Sequence, residues 1–97
     1  MAEIRRWYLV MYDIRDPQRW RDAYEIIRAW GSRLQYSVFR ACLSDREREK
    51  LRWEVGRVLT SEDSLLVIGL CDSCVDRVRA MNPRNEWPDP PPPLVVL

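Results

Sequence analysis

Asp13 is a carboxylate at the end of an apolar run, a position where it could bind a metal ion. Residues 7–16 read W-Y-L-V-M-Y-D-I-R-D, so that six apolar residues, typical of a buried strand, lead directly to Asp13. Two interpretations of this carboxylate are open. Asp13 could open the turn into the next helix, since Asp hydrogen-bonds well to nearby backbone. Alternatively, it could bind a divalent metal at the rim of the sheet, because hard cations prefer carboxylate oxygens and water.

Histidine and cysteine usage narrows the chemistry further. The 97 residues contain no histidine, which excludes Ser-His and Cys-His nucleophile pairs, histidine acid/base catalysis and histidine-containing zinc sites. Hydrolysis would therefore depend on carboxylates, tyrosines or a metal. The C-x-x-C pair Cys71 and Cys74 suits a metal or redox pair, but tetrahedral zinc needs four ligands and only Cys42 remains. We interpret the pair as a turn with two semi-buried thiols, with a site shared between two subunits as the alternative.

The basic residues are unevenly distributed along the chain. Residues 1–58 contain 13 basic and 9 acidic side chains, whereas residues 59–97 contain 3 basic and 6 acidic ones. Every basic residue except Lys50 is an arginine. Guanidinium groups bind phosphates in a planar, two-pronged way, so this bias is compatible with nucleic-acid binding. Codon bias is the alternative explanation.

Length and hydropathy indicate one small domain without a membrane segment. A chain of 97 residues can build a single core. It has no apolar run of the length that spans a bilayer, and residues 1–6 pass straight into a short strand rather than into a signal-peptide pattern. The odd cysteine count does not suggest a secreted disulfide scaffold. We therefore expect a soluble, cytoplasmic protein with no membrane association.

Two amphipathic helices are predicted from their caps and apolar spacing. Asp16-Pro17 starts the first helix, and Gly31 is expected to end it as a left-handed C-cap. Its apolar face consists of Trp20, Ala23, Ile26, Ile27 and Trp30, which we expect in the core. The capping box Ser44 to Glu47 starts the second helix. Its apolar stripe consists of Leu51, Val55, Val58 and Leu59, and residues 46–52 are its solvated charged face.

The remaining segments are predicted to be strands and an arm. Residues 34–43 alternate in polarity, residues 64–70 are apolar on both faces, and a weaker strand is expected at about 75–81. Pro90 to Pro93 must be extended, and the apolar residues 94–97 follow as a further strand.

We expect residues 1–82 to form the domain. Residues 83–97 would form a proline-rich arm whose strand docks on a sheet edge, either of its own chain or of a partner subunit. If the edge belongs to the partner, deleting residues 88–97 should weaken the dimer.

This order of elements predicts an α+β fold, the ferredoxin-like βαββαβ sandwich with an extra C-terminal strand. The helices should cover one face of the sheet only. Because the strands at residues 7–12 and 65–70 are apolar on both sides, we expect the other face to be buried against a twin sheet in a two-fold homodimer.

Several stretches resemble a known family, the small CRISPR-associated protein two, which accompanies the integrase of spacer acquisition. They are Y-D-I-R-D (12–16), W-G-S-R-L-Q-Y-S-V-F-R (30–40), L-R-W-E (51–54), D-S-L-L-V-I-G-L-C-D-S-C (63–74) and the proline-led apolar tail. The resemblance runs through nearly the whole chain. It is specific because the order and spacing of these stretches match within a chain of this length.

The resemblance implies a homodimer in which the two Asp13 carboxylates face each other across the two-fold axis and share one Mg²⁺. It further implies a metal-dependent endonuclease that hydrolyses phosphodiester bonds in RNA or DNA. Because the chain has no histidine, proton transfer in this reaction would depend on solvent or on Tyr12, and a phenol is a poor base near neutral pH. Phosphate oxygens of the nucleic acid would be bound by Arg15, Arg19, Arg21, Arg33 and Arg40.

It also implies a non-catalytic scaffold role, in which the dimer sits between two dimers of CRISPR-associated protein one, the integrase, and binds the double-stranded DNA of the incoming spacer. We favour this adaptation role, with magnesium-dependent cleavage of RNA or DNA as an additional activity. An alternative from another class is a small ferredoxin-like oligomer that binds a metabolite or regulates an enzyme. No Gly-rich phosphate loop supports it, since Gly31, Gly56 and Gly69 are isolated.

Overall fold

The computed structural model describes residues 2–81 and 94–95. In chain order the elements are β1 (Ala2–Glu3), β2 (Arg6–Asp13), α1 (Pro17–Arg28), β3 (Ser32–Gln35), β4 (Val38–Leu43), α2 (Asp45–Gly56), β5 (Ser64–Leu70), α3 (Asp72–Met81) and β6 (Leu94–Val95). Of the helices in this part of the chain, none has the length and apolar character needed to cross a membrane.

Four strands form the main sheet, which is antiparallel throughout and has the order β3-β4-β2-β5. β2 is central, so that Trp7 pairs with Cys42 of β4 and with Leu70 of β5. At the other end of β2, Asp13 pairs with Ser64. The run β2-α1-β3-β4-α2-β5 with these neighbours is the ferredoxin-like arrangement, which confirms the predicted α+β fold class.

The predicted N-cap of α1 is confirmed, whereas the predicted C-cap is not. The Asp16 carboxylate accepts a hydrogen bond of 2.9 Å from the backbone N–H of Arg19, and Pro17 follows as the first helical residue. The predicted left-handed cap at Gly31 is wrong, because no described residue has a positive φ. Gly31 is instead required by close approach: a Cβ there would overlap the carbonyl oxygen of Arg40 in β4.

The predicted capping box starts α2. The Ser44 hydroxyl accepts from the backbone N–H of Glu47 at 3.2 Å, and the Glu47 carboxylate accepts from the backbone N–H of Ser44 at 2.9 Å. Leu51 and Val55 of the apolar stripe are completely buried, and Val58 and Leu59 are half-buried. The stripe therefore faces the sheet as predicted.

The main core lies between the sheet and the two helices α1 and α2. Side chains of a strand alternate between faces, so every second residue of β2 and β4 points to this core. The buried residues are Tyr8, Val10, Tyr12, Ile14, Ala23, Ile27, Phe39, Ala41, Leu43, Leu51 and Val55. Trp20 and Trp30 are half-buried against the cluster, in agreement with the prediction that they belong to the core.

Residues 34–43, predicted to be one strand, form parts of two strands. β3 and β4 are joined by a two-residue turn at Tyr36-Ser37, and the Ser37 carbonyl accepts a hydrogen bond of 3.2 Å from the backbone N–H of Tyr12. The predicted alternation holds within β4, where Phe39, Ala41 and Leu43 are buried. Tyr-Ser is a weak turn signal, which explains why the polarity pattern predicts one continuous strand.

The strand predicted at about residues 75–81 is wrong, because this segment belongs to helix α3. Val75 and Val78 favour strands by propensity, but their three-residue spacing places both on one helix face. They pack on Trp7 and Leu70, on the sheet face opposite α1 and α2. The expectation that helices cover only one face is therefore also wrong.

We define the second face as the sheet surface opposite α1 and α2. It contains Trp7, Leu9, Met11 and Asp13 of β2, with Leu70, Ile68, Leu66 and Ser64 of β5 beside them in register. Within the described residues, α3 packs at the Trp7 end of this face. Leu66 and Ile68, beyond it, are 53% and 39% exposed. The second face is thus an apolar surface that α3 covers only in part.

The C-terminal strand lies against the N-terminal one. β6 pairs antiparallel with β1, so that Ala2 faces Val95 and Glu3 faces Leu94. The proline-rich arm at residues 83–93 falls outside the described residues. The domain boundary at residue 82 and the docking of the tail on a partner therefore stay predictions.

Candidate functional site

Asp13 is the last residue of β2 and its side chain is exposed. Its strand position places it on the second face, in register with Ser64 and two residues beyond Met11. Neither neighbour carries a charge, so the carboxylate is a lone acid at the edge of a partly apolar surface.

The described part of one protomer supplies too few ligands for a closed metal centre. Among the described residues, no group of three or more His, Cys, Asp or Glu side chains could hold a metal ion. Two other carboxylates lie near this end of the sheet: Asp16 caps the N-terminus of α1, and Asp63, which directly precedes β5, forms an ion pair with Arg19. Mg²⁺ keeps several waters and often takes only one or two carboxylates. Asp13 therefore fits this ion if a second protomer provides another Asp13.

Tyr12, the predicted proton carrier, faces away from Asp13. Adjacent strand residues point to opposite sides, and Tyr12 is buried in the main core, where it contacts Trp20 and Phe39 with ring centroids 5.8 and 6.0 Å away. Burial, the main cause, together with the nearby Tyr36 and Tyr24 hydroxyls, raises the pKa of Tyr12 to about 12, against a smaller opposing effect of Arg33. The phenol is therefore neither beside Asp13 nor suited to act as a base near neutral pH.

Arg19 forms a structural ion pair. Its Nε donates a hydrogen bond of 2.9 Å to Asp63 Oδ2, and its Nη2 lies 3.4 Å from Asp63 Oδ1. The Asp63 side chain is only 1% exposed and also accepts from the backbone N–H of Thr60 at 2.9 Å. The hydrogen bond from Arg19, followed by that from the Thr60 backbone, lowers the pKa of the Asp63 carboxyl. Arg19 thus ties α1 to the start of β5.

Arg15 and Arg21 lie together at the start of α1. Both side chains are exposed. With Ile14, Pro17, Trp20 and Tyr36 they line a cleft of about 290 Å³, which we call the Trp20 cleft. Neither guanidinium is buried and both line the same opening, so this cleft can offer two positive charges to an anionic group.

An aromatic cluster forms one wall of the same cleft. The Trp20 ring lies 4.8 Å from Tyr36 and 5.4 Å from Tyr24, measured between centroids. The Arg33 guanidinium lies 5.6 Å from the centroid of the Tyr24 ring, within the range of a cation–π contact. Arg33 therefore lies against this aromatic cluster but does not line the cleft itself.

Arg40 lies elsewhere, on the second face. It occupies β4 in register with Leu9 of β2 and Ser32 of β3, and it is half-buried. The five predicted phosphate-binding arginines are thus divided. Arg15 and Arg21 line the cleft beside Trp20, and Arg33 lies on the Tyr24 ring next to it. Arg19 is paired with Asp63, and Arg40 is on the opposite side of the sheet.

A second basic cleft, of about 550 Å³, was not predicted from the sequence. It lies where β5 meets α2 and is lined by Arg6, Tyr8, Arg48, Glu49, Arg52, Val67, Gly69, Leu70 and Cys71. Arg48 Nη1 donates to the Tyr8 hydroxyl at 3.2 Å. The four-residue spacing of Arg48 and Arg52, which places both on one helix face, was the available signal, but the segment was interpreted as a solvated surface.

Comparisons with known proteins agree on one family. The sequence model of a family described as "CRISPR associated protein Cas2" matches residues 6–78. A protein of Synechocystis sp. named "CRISPR-associated endoribonuclease Cas2 3" is 31% identical over 94 residues, which are 93% of this chain and 96% of that protein. One of Archaeoglobus fulgidus, "CRISPR-associated endoribonuclease Cas2 1", is 35% identical over 69 residues, which are 69% of this chain and 73% of that protein.

Two solved structures are similar in fold. A hypothetical protein, TT1823, from Thermus thermophilus superposes with a TM-score of 0.67 at 34% identity, over 69% of this chain and 83% of that one. The crystal structure of Streptococcus pyogenes Cas2 at pH 6.5 gives a TM-score of 0.64 at 22% identity, over 86% of this chain and 99% of that one. The second likeness concerns the fold alone.

Proposed function

Because the chain belongs to the CRISPR-associated Cas2 family, we propose that it serves CRISPR spacer acquisition as a homodimer that bridges integrase dimers and binds the duplex of the incoming spacer. The observation that carries this proposal is the partly uncovered, apolar second face with Asp13 at its edge. A surface of this kind indicates a protein interface, and a second copy of the same face is its simplest partner.

The dimer would form through the exposed part of the second face. Met11, Leu66 and Ile68 lie there in neighbouring strands, beyond the area on which α3 packs. Burying such side chains contributes about 25 cal/mol per Å² of apolar area. A two-fold axis through this face repeats Asp13 on the partner, so that one interface would create the pair of carboxylates that a single protomer lacks.

Duplex binding would use the arginines of the Trp20 cleft. Arg15 and Arg21 are exposed and line this cleft, whereas Arg19 is held in an ion pair with Asp63. Arg33 lies against the ring of Tyr24, in the adjoining aromatic cluster. Contacts of this type bind phosphates without reading base sequence. The homodimer would present two such clusters, which suits a backbone-binding bridge.

The duplex proposal is tested by binding at several salt concentrations. We expect Arg15→Ala and Arg21→Ala each to weaken duplex binding and to reduce the slope of log K against log salt by about 1. Arg57→Ala, which removes the same charge from the end of α2, is the matched control. Binding that is insensitive to salt and to both substitutions would favour the alternative of a metabolite-binding or regulatory oligomer.

A second candidate activity is magnesium-dependent cleavage of RNA or DNA. Two observations favour it: the exposed Asp13 at the strand end, and relatives whose names include endoribonuclease. Mg²⁺ held by two Asp13 carboxylates would supply a water of lowered pKa and stabilise charge on the phosphate. The chain's own residues would position this site and bind phosphates, while solvent, rather than the buried Tyr12, would carry the proton.

Asp13→Asn separates the two roles. If the protein is a bridge, spacer integration with the integrase should be unchanged in this variant. If the protein also cleaves nucleic acid, the wild type should cut labelled RNA or duplex DNA with magnesium but not with EDTA. The cleavage rate of Asp13→Asn should be lower by about 100-fold or more. Glu25→Gln, an equivalent change at an exposed position of α1, is the control. Integration lost with Asp13→Asn alone would contradict the scaffold role.

A further inference from the structure

Cys71 and Cys74 form a close pair of thiols where β5 ends and α3 begins. Cys71 immediately precedes α3, and its carbonyl accepts the hydrogen bond of 3.0 Å from the backbone N–H of Val75. The two sulfur atoms are 3.2 Å apart. A disulfide requires about 2.05 Å between them, so the two thiols are already close to bonding distance.

The surroundings of Cys71 favour its thiolate. Ser73 Oγ lies 3.2 Å from Cys71 Sγ and Cys74 Sγ lies at the same distance. Hydrogen bonds from the Ser73 hydroxyl, then from the Cys74 thiol and the Cys74 backbone N–H, lower the pKa of Cys71 to about 7. Thiolates are the nucleophiles in disulfide exchange, so this cysteine would be ionised to a useful extent near neutral pH.

Cys71 is also accessible from the larger basic cleft. It is exposed and lines the cleft of about 550 Å³ with Arg6, Arg48 and Arg52. Glu49 partly offsets these charges, since it pairs with Arg48 at 3.3 Å and with Arg52 at 3.5 Å. Asp45 also pairs with Arg48, at 3.4 Å, so the net positive charge of the cleft comes mainly from Arg6 and Arg52. This charge and the size of the opening suit a small molecule that carries carboxylates.

Cys42 provides an internal contrast. It lies on β4 beside Trp7 and is half-buried in the cluster beneath α3. Burial raises the pKa of its thiol, in the opposite direction from Cys71. The three cysteines therefore divide into one close pair, of which Cys71 is exposed, and one half-buried residue on β4.

We propose that Cys71 and Cys74 are a reversible dithiol pair that is oxidised by a small anionic disulfide of the glutathione class entering the arginine-lined cleft. The Cys71 thiolate attacks one sulfur of the small disulfide, which forms a mixed disulfide and releases the first small thiolate. Cys74 loses its proton to solvent and attacks Cys71 Sγ, which releases the second. The protein loses two electrons and two protons, and the small disulfide gains them as two thiols. This inference does not rest on the proposed function.

The test is mass spectrometry of the full chain after incubation with oxidised glutathione. We expect the loss of two hydrogens in the wild type and in Cys42→Ser, with peptide mapping to a Cys71–Cys74 bond. Cys74→Ser should instead stop at the mixed disulfide and gain one glutathione on Cys71, whereas Cys71→Ser should form no internal bond. Reduction with excess glutathione should restore all thiols.

Alkylation at neutral pH gives an independent measurement. Cys71 should react at least about tenfold faster than Cys42, given their opposite pKa shifts. Three free thiols after oxidation, a bond that includes Cys42, or equal alkylation of Cys42 and Cys71 would each overturn the proposal. Far-UV circular dichroism of the serine variants, whose changes lie at exposed or half-buried positions, verifies that they are folded.

Discussion

Tyr12 and Asp13 are neighbours in sequence, but the strand directs their side chains to opposite faces of the sheet. The Tyr12 hydroxyl is buried and has no hydrogen-bond partner among the described residues. A buried polar group without a partner costs about 1–3 kcal/mol. The role of this residue is therefore better explained by packing among Trp20 and Phe39 than by proton transfer.

We expect Tyr12→Phe to raise the free energy of unfolding by about 1 kcal/mol, because it removes the unpaired hydroxyl and keeps the ring. Denaturant titration measures this change. Duplex binding, and any magnesium-dependent cleavage, should stay at the wild-type level. A variant that folds normally but loses cleavage would restore Tyr12 as a catalytic residue.

The Arg19–Asp63 ion pair should make stability sensitive to acid. The pKa of Asp63 is lower in the folded protein than in the unfolded chain. The stabilisation it provides is therefore present above the unfolded carboxyl pKa and is lost as the pH falls below about 4, through the folded pKa. We expect Asp63→Asn to lower Tm at neutral pH and to flatten the fall of Tm in acid. Parallel Tm profiles for the wild type and Asp63→Asn, with Asp22→Asn as control, would contradict this role.

At the scale of elements, the caps and apolar stripes were sufficient to predict β2, α1, α2 and β5. Two of the predicted strands were wrong for physical reasons. The turn at Tyr36-Ser37 contains no Gly, Pro, Asn or Asp, so the β3–β4 hairpin looked like one strand. Val75 and Val78 have strand propensity, and only their packing on Trp7 favours the helix α3.

The connection from α1 to β3 depends on Gly31, and Gly56 offers a matched control. A Cβ at Gly31 would overlap the backbone of Arg40, whereas a Cβ at Gly56 would meet nothing within 4 Å. We expect Gly31→Ala to cost about 3 kcal/mol, the upper end for overpacking, because a backbone carbonyl cannot move aside. Gly56→Ala should stabilise α2 by about 0.5 kcal/mol. Equal unfolding free energies for the two variants would contradict the close approach.

At the scale of the whole molecule, the position of Asp13 could be predicted from the sequence. Which arginines line a cleft, which form ion pairs and which lie on the second face could not. A carboxylate after an apolar run had to lie at the end of a strand. Whether Arg19 would bind phosphate or Asp63 depends on the packing of α1 against the start of β5, which no local pattern encodes. The same holds for Arg40, which the register of β4 places on the second face.

The central claim is that the second face mediates a homodimer, and sedimentation equilibrium of the full chain tests it most directly. Leu66→Glu introduces a charge into the proposed interface, and Trp53→Glu makes a similar change at an exposed apolar position of α2. We expect the wild type to be a dimer. Leu66→Glu should raise the dissociation constant of this dimer at least about tenfold, which corresponds to about 1.4 kcal/mol of association free energy, and Trp53→Glu should leave it unchanged. A wild-type monomer at micromolar concentration, or a Leu66→Glu dimer as tight as the wild type, would contradict the account.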